Sequence, residues 1–229
     1  MWDPQVAALS ELARLVRYDV RGFGRSQRDE VTPYTHAHDL WMLLDHLEVD
    51  RAVLVGLSMG GRIVVEAALE QPERTAGLVL LDAVLDAVAW DEESANGMVD
   101  MREAFDRGGP ASARAAWLNH PFFGPALRDP DVARRLAVMV DESPDSYWSS
   151  ADPHGPHQDC LTHLDTVDVP TEVVLGELDV PGFRTMAQTL AATIPGARLT
   201  VVPDAGRMVN LEAPGSVNRV LRRAAAAAR

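Results

Sequence analysis

The chain has 229 residues, 47% of them hydrophobic, which is enough for one α/β domain with a full core or for a core carrying a modest insertion. A net charge of −13 argues against nucleic acid and anionic membranes as partners, and no apolar run approaches the roughly 18 residues that a membrane span needs. All 21 basic residues are arginine, so a lysine Schiff base and a phosphate-loop lysine are excluded, and the single cysteine, Cys160, rules out an internal disulfide framework.

The chain alternates strand and helix patterns as parallel sheets do. Met1-Trp2-Asp3-Pro4 lacks the basic and apolar regions of a signal peptide, so a cytoplasmic location is expected. Asp3-Pro4 reads as an N-cap followed by a first-turn proline, opening a helix to about Ala13. Leu15-Val16-Arg17-Tyr18 reads as a short strand, and Asp19 to Ser26 as a glycine-rich turn. His38 to Leu47 is helical, with Leu40, Leu43, Leu44 and Leu47 on one face. Ala52 to Val55 is an apolar strand, Arg62 to Glu70 a helix and Gly77 to Leu81 the next strand. Later come strands at Glu172 to Leu175 and Arg198 to Val202, with a helix from about Arg184 to Ala192 between them. Ala213 to Ala228 closes the chain as a helix.

Residues 83–168 break this rhythm. Helical patches at Ser94–Phe105, Ala111–Leu118 and Asp131–Val140 alternate with proline- and glycine-rich stretches. Trp90, Trp117, Phe122, Phe123, Tyr147 and Trp148 all fall here. The expected organisation is therefore a core of residues 1–82 and 169–229 with residues 83–168 inserted as a helical lid over a pocket. A satellite helical layer without a pocket is the alternative.

Gly56-Leu57-Ser58-Met59-Gly60-Gly61 carries the chemistry. A G-x-S-x-G between a buried strand and a helix makes a turn too tight for ordinary side chains and lifts the serine hydroxyl to its apex. Three further stretches accompany it: Arg17 to Ser26, Gly176-Glu177-Leu178-Asp179-Val180-Pro181, and Pro203 to Pro214. In these four motifs, and over nearly its whole length, the chain resembles the α/β-hydrolase superfamily, in its esterase, lactonase and 3-oxoadipate enol-lactonase-like branch. The resemblance implies a mostly parallel sheet flanked by helices and a lid. It also implies an acyl-serine route for small esters or lactones, with no cofactor or metal. Ser58 matches the nucleophile, Asp179 the orienting acid and the Met59 amide an oxyanion donor; Glu177 is a local competitor for the acid and Asp82 a distant one.

Two departures follow from the same resemblance. Where the family has Gly-His-Met, this chain has Gly206-Arg207-Met208. A guanidinium presents only donors and stays protonated, so Arg207 cannot take the serine proton. It is instead expected to pair with Asp179 and donate to Ser58. Among the other histidines, His36, His38 and His46 are expected to face solvent, and His120, His154 and His157 are read as solvated loop residues, with a base donated from the lid by one of them as the alternative. The second departure is that the strand and His-Gly loop that precede the first helix in the family are not in this sequence. Either Met1 is an internal methionine or the gene is degenerate. Leu15–Tyr18 then pairs directly with Ala52–Val55, or unpaired strand edges are left for self-association. His154, His157, Cys160 and His163 recur every third residue, but Pro153 and Pro156 prevent a regular helix there and no metal site is expected.

Overall fold

The computed structural model describes residues 1–26, 33–85, 88, 90–149 and 160–228. Among them, four parallel strands form one sheet in the order β1 (Ala52–Leu57), β2 (Thr75–Leu81), β3 (Thr171–Gly176), β4 (Arg198–Val202). Every residue of β2 and β3 is buried, as expected of parallel strands covered on both faces.

Side-chain alternation divides the core in two. Leu54, Leu78, Leu80, Val173 and Leu175 face α2 (His36–His46), α3 (Met59–Glu70) and α7 (Pro181–Thr193). Leu57, Val79, Leu81, Val174 and Val202 face α1 (Asp3–Leu9) and α9 (Pro214–Ala227). On α9, Val217, Val220, Leu221 and Ala224 follow the three- and four-residue spacing of one helical face. Trp41 of α2 is buried and donates its indole N–H to the Ala67 carbonyl of α3 at 3.2 Å, which meets the polar demand of a large apolar side chain.

Between β2 and β3 lie α4 (Glu92–Leu118), α5 (Pro130–Asp141) and α6 (Asp145–Ser149). The two expected helices at Ser94–Phe105 and Ala111–Leu118 run on as α4, broken at Gly108 and Gly109, where φ reaches 69° just before Pro110. Phe122, Phe123, Val132, Leu136, Val140 and Trp148 of this layer join the same core as Leu78 and Leu80.

Four local expectations are corrected. Leu15–Tyr18 is not a strand: a strand exists through its ladder, and none of these residues has one. Leu15, Val16 and Tyr18 are exposed instead, and among the described residues β1 is laddered to β2 only. The first helix starts after Trp2 and ends at Leu9; Asp3 is its first residue and not its cap, and its carboxylate pairs with Arg17 and Arg135. His36 is buried against Tyr34, whereas His38 and His46 are exposed. The helix there begins two residues early because Thr35 caps it, accepting from the His38 amide. No helix among the described residues is long and apolar enough to cross a membrane.

Candidate active site

The elbow begins with β1 running straight into α3. Ser58 sits between them at φ 57° and ψ −121°, a conformation that costs a non-glycine residue about 1–3 kcal/mol and persists only where its surroundings enforce it. Those surroundings are specific. The Ser58 amide donates to Leu81 O at 3.0 Å, and Ser58 O accepts from Gly61 at 2.9 Å and Val84 at 3.1 Å. A Cβ on Gly56 would lie 2.0 Å from Gly60 O, and one on Gly61 would lie 2.4 Å from the Ala83 methyl. Strand and helix meet at a separation only glycine allows.

Asp179 reaches the same place from the loop after β3. Its amide donates to Gly176 O, its Oδ1 accepts from Val180 N at 2.8 Å, and it is only 5% exposed. Glu177 accepts from the Asp204 amide on the surface and serves as a loop clamp. Asp82 is not distant. It is fully buried, accepts from Gly176 N at 2.9 Å through Oδ1, and interacts electrostatically with both Asp179 and Arg207.

Arg207 completes the cluster. Glu212 holds its loop by accepting from the amides of Gly206 and Met208, both at 2.8 Å. The guanidinium is 6% exposed, Nη2 donates to Ser58 Oγ, and Nη1 lies 3.7 Å from Asp179 Oδ2. Two aromatic rings pack against it, the Phe183 centroid at 3.4 Å from Cζ and the Phe122 centroid at 4.7 Å. Stacking of this kind suits the planar, weakly hydrated guanidinium. Arg207 therefore occupies a lone pair of Ser58 Oγ and offers it no acceptor.

Burial dominates the electrostatics. It pushes Asp179 up to about 6 against the opposing pull of Arg207, and it holds Asp82 well above the usual carboxylate range, with Asp179 adding to the shift. The sign for stability follows. The folded state binds more protons than the unfolded chain between 3.8 and about 6, so this contribution is present at low pH and is lost as pH rises through that window. Asp179→Asn is expected to flatten that decline, as read from melting temperatures taken across the window; an unchanged slope would remove Asp179 from the account.

Of the alternative bases, His120 is not available. It is buried in the helical layer, its Nδ1 accepts from Phe122 N at 3.2 Å, and its Nε2 faces Ser94 O at 3.1 Å, so both ring nitrogens are used in pinning the layer. Burial lowers its pKa, consistent with a neutral ring donating from Nε2. His154 and His157 lie outside the described residues. Cys160 is buried and His163 exposed, and no group of three metal-binding side chains occurs among the described residues. A cavity of about 530 Å³ lies elsewhere, lined by Glu92, Asn96, Gly97, Asp100, Asn119 and Pro121, and shares no residue with the Ser58 cluster.

The sequence reading did not find Phe122, Phe183, Asp82 or Glu212 as neighbours of the cluster. Only Glu212 carried a signal, as the acid that follows Gly206-Arg207-Met208 in the last motif.

The comparisons agree with this architecture. The 3-oxoadipate enol-lactonase 1 of Acinetobacter baylyi is 26% identical over 216 residues, covering 93% of this chain and 79% of that protein. Among solved structures, a thermophilic esterase from Thermogutta terrifontis matches with a TM-score of 0.81 and 28% identity, over 97% of this chain and 83% of its own. The enol-lactonase from Burkholderia xenovorans LB400 matches with a TM-score of 0.80 and 27% identity, over 97% of this chain and 85% of its own. Residues 1–214 match the family described as alpha/beta hydrolase fold, and the chain belongs to that family.

Proposed function

We propose that the elbow is the substrate site of a serine hydrolase for small esters or lactones, in which Arg207 leaves the nucleophile unactivated and turnover slow. The observation that carries this reading is the Arg207 guanidinium donating to Ser58 Oγ beside buried Asp179. Ser58 is the nucleophile position, Asp179 the acid position, the Met59 amide an oxyanion donor, and residues 83–168 a lid on the core of 1–82 and 169–229. In the reaction, Oγ attacks the ester carbonyl and loses its proton. The alkoxide or lactone oxygen leaves with a proton from solvent, and water then cleaves the acyl-Ser58 bond. No described side chain beside Ser58 is placed to take that first proton, and loss of a triad base slows such enzymes by about 10⁴-fold.

The second reading is a catalytically silent relative that binds a small apolar ligand, favoured by the same inability of Arg207 to accept a proton. Hydrolysis of p-nitrophenyl esters and simple lactones by the native chain and by Ser58→Ala separates the two. Slow turnover that falls by about 10²-fold or more in Ser58→Ala supports the hydrolase, and identical background rates in both support the silent relative. A cytoplasmic setting, suited to a lone buried thiol, and self-association along the edge of β1 that carries no ladder among the described residues belong to the same proposal.

A further inference from the structure

His120 stands where the helical layer meets Arg207, and its hydrogen bonds admit one protonation state. It precedes the 3₁₀ turn Pro121–Phe123 and caps it, with Nδ1 accepting from the Phe122 amide at 3.2 Å. Nε2 lies 3.1 Å from the Ser94 carbonyl oxygen of α4. A backbone amide only donates and a carbonyl only accepts, so the ring must be neutral with its proton on Nε2. It has no room to turn. The ring is buried, its centroid lies 5.0 Å from the Trp117 ring and 3.8 Å from the Phe122 ring, and a Cβ on Gly97 of α4 would lie 2.6 Å from its Nε2. The residue held by this cap is one that touches the cation: Phe122 packs against Arg207, which donates to Ser58 Oγ.

We infer that His120 is a positioning residue for the Ser58 site that works only while neutral. In that state it sets Phe122 against Arg207 and keeps the guanidinium on Ser58; once protonated, it lets Phe122 go and frees the hydroxyl. The reason lies in the donor count. An imidazolium donates from both nitrogens, so a proton on Nδ1 faces the Phe122 N–H, donor against donor, and a buried amide loses its acceptor. Parting Phe122 from Arg207 relieves both. The charges around the ring act in both senses. Arg207, from the loop between β4 and α8 (Val209–Glu212), opposes the imidazolium, whereas Asp91 at the start of α4 and Asp100 within it favour it; the turn itself brings no charge. Burial outweighs the two acids and holds the ring's pKa below the 6.5 of an ordinary histidine. The released state, with a hydrated ring, therefore binds more protons than the closed one. Release grows as pH falls below about 6.5, by up to about tenfold per unit. Asp179 works the other way, since burial raises its pKa and its proton is held more tightly in the closed state. The inference needs only the contact between Arg207 and Ser58, and it holds whether or not the elbow turns over esters.

Nitrogen NMR of the whole chain tests this. At neutral pH His120 is expected as the Nε2–H tautomer, titrating below 6.5. Protection of the Arg207 side-chain N–H groups from exchange with water, measured against exposed Arg25, is expected to fall about tenfold or more between about pH 7.5 and about pH 5. His120→Asn keeps an acceptor for the Phe122 amide, as asparagine does at caps, but cannot titrate. Its Arg207 protection is expected not to fall with pH. His120→Leu removes the acceptor, and its Arg207 protection is expected to be low at both ends of the range; the asparagine variant carries the test if the leucine variant does not fold. An Nδ1–H tautomer, a midpoint at or above 6.5, native protection that is unchanged as His120 titrates, or the same fall in His120→Asn would each overturn the inference. None of these readouts involves turnover, so failure here leaves the hydrolase reading standing, and a lack of ester hydrolysis leaves this inference standing.

Discussion

Replacing Arg207 by histidine is expected to raise ester turnover by about 10²- to 10⁴-fold, the range that a positioned base supplies in acyl transfer. A buried carboxylate already stands there. Asp179 is buried beside the guanidinium with Oδ2 unpartnered, so an imidazole at position 207 finds an acceptor for Nδ1–H and presents Nε2 to Ser58. The loop that carries it is independently held by Glu212 through the amides of Gly206 and Met208, and does not depend on the arginine side chain. Arg207→Gln is the companion variant. It removes the cation from Ser58 without adding a base, so a gain confined to histidine identifies proton transfer as the missing step. A gain shared by both variants would mean that Arg207 acts by blocking the hydroxyl. The kcat/KM of the histidine variant should also acquire a rising limb near the imidazole pKa, and Ser58→Ala on that background should abolish the gain.

Gly56→Ala is expected to destabilise the chain by roughly 3 kcal/mol or more, because the new methyl meets backbone instead of a movable side chain. Its Cβ would lie 2.0 Å from the Gly60 carbonyl oxygen and 2.2 Å from its carbon, inside the first turn of α3. Relief requires β1 and α3 to separate, which undoes the bonds from Ser58 to Leu81 and Val84. Gly60 provides the internal contrast. A Cβ there meets nothing within 4 Å, and the position is helical, so Gly60→Ala is expected to be neutral or stabilising by about 0.5–1 kcal/mol. Chemical denaturation of the two variants checks the pair, and similar losses in both would mean that the elbow is less tightly enforced than its geometry implies.

The parts of the molecule legible in the sequence are those governed by short-range rules. The elbow could be read because strand, tight turn and helix are adjacent in the chain, and glycine is demanded wherever backbones approach. The β1, β2, β3 and β4 segments could be read because buried parallel strands are continuous apolar runs. Leu15–Tyr18 has the composition of a strand, but pairing is decided by what lies alongside, and these residues have no ladder. His36 and His120 were misjudged for a related reason. A histidine's exposure depends on the contacts around it, and both are buried against aromatic neighbours. Phe122 and Phe183 sit in different elements and show no local pattern that ties them to Arg207; only the tertiary fold brings both rings against one cation. Asp82 is far from Asp179 in sequence and joins it in space because adjacent parallel strands end side by side.

The contact of Arg207 with two rings also joins two parts of the chain mechanically. Phe122 lies in the helical layer between α4 and α5, whereas Phe183 lies on α7, packed against the sheet. One cation touching both works as a clip. Lifting the layer must part Phe122 from the guanidinium and let water reach a charge that is now almost wholly enclosed. On the lid reading proposed above, rehydration of Arg207 and admission of a ligand to Ser58 are one motion. On that reading, position 207 governs how readily the site opens as well as whether Ser58 has a base.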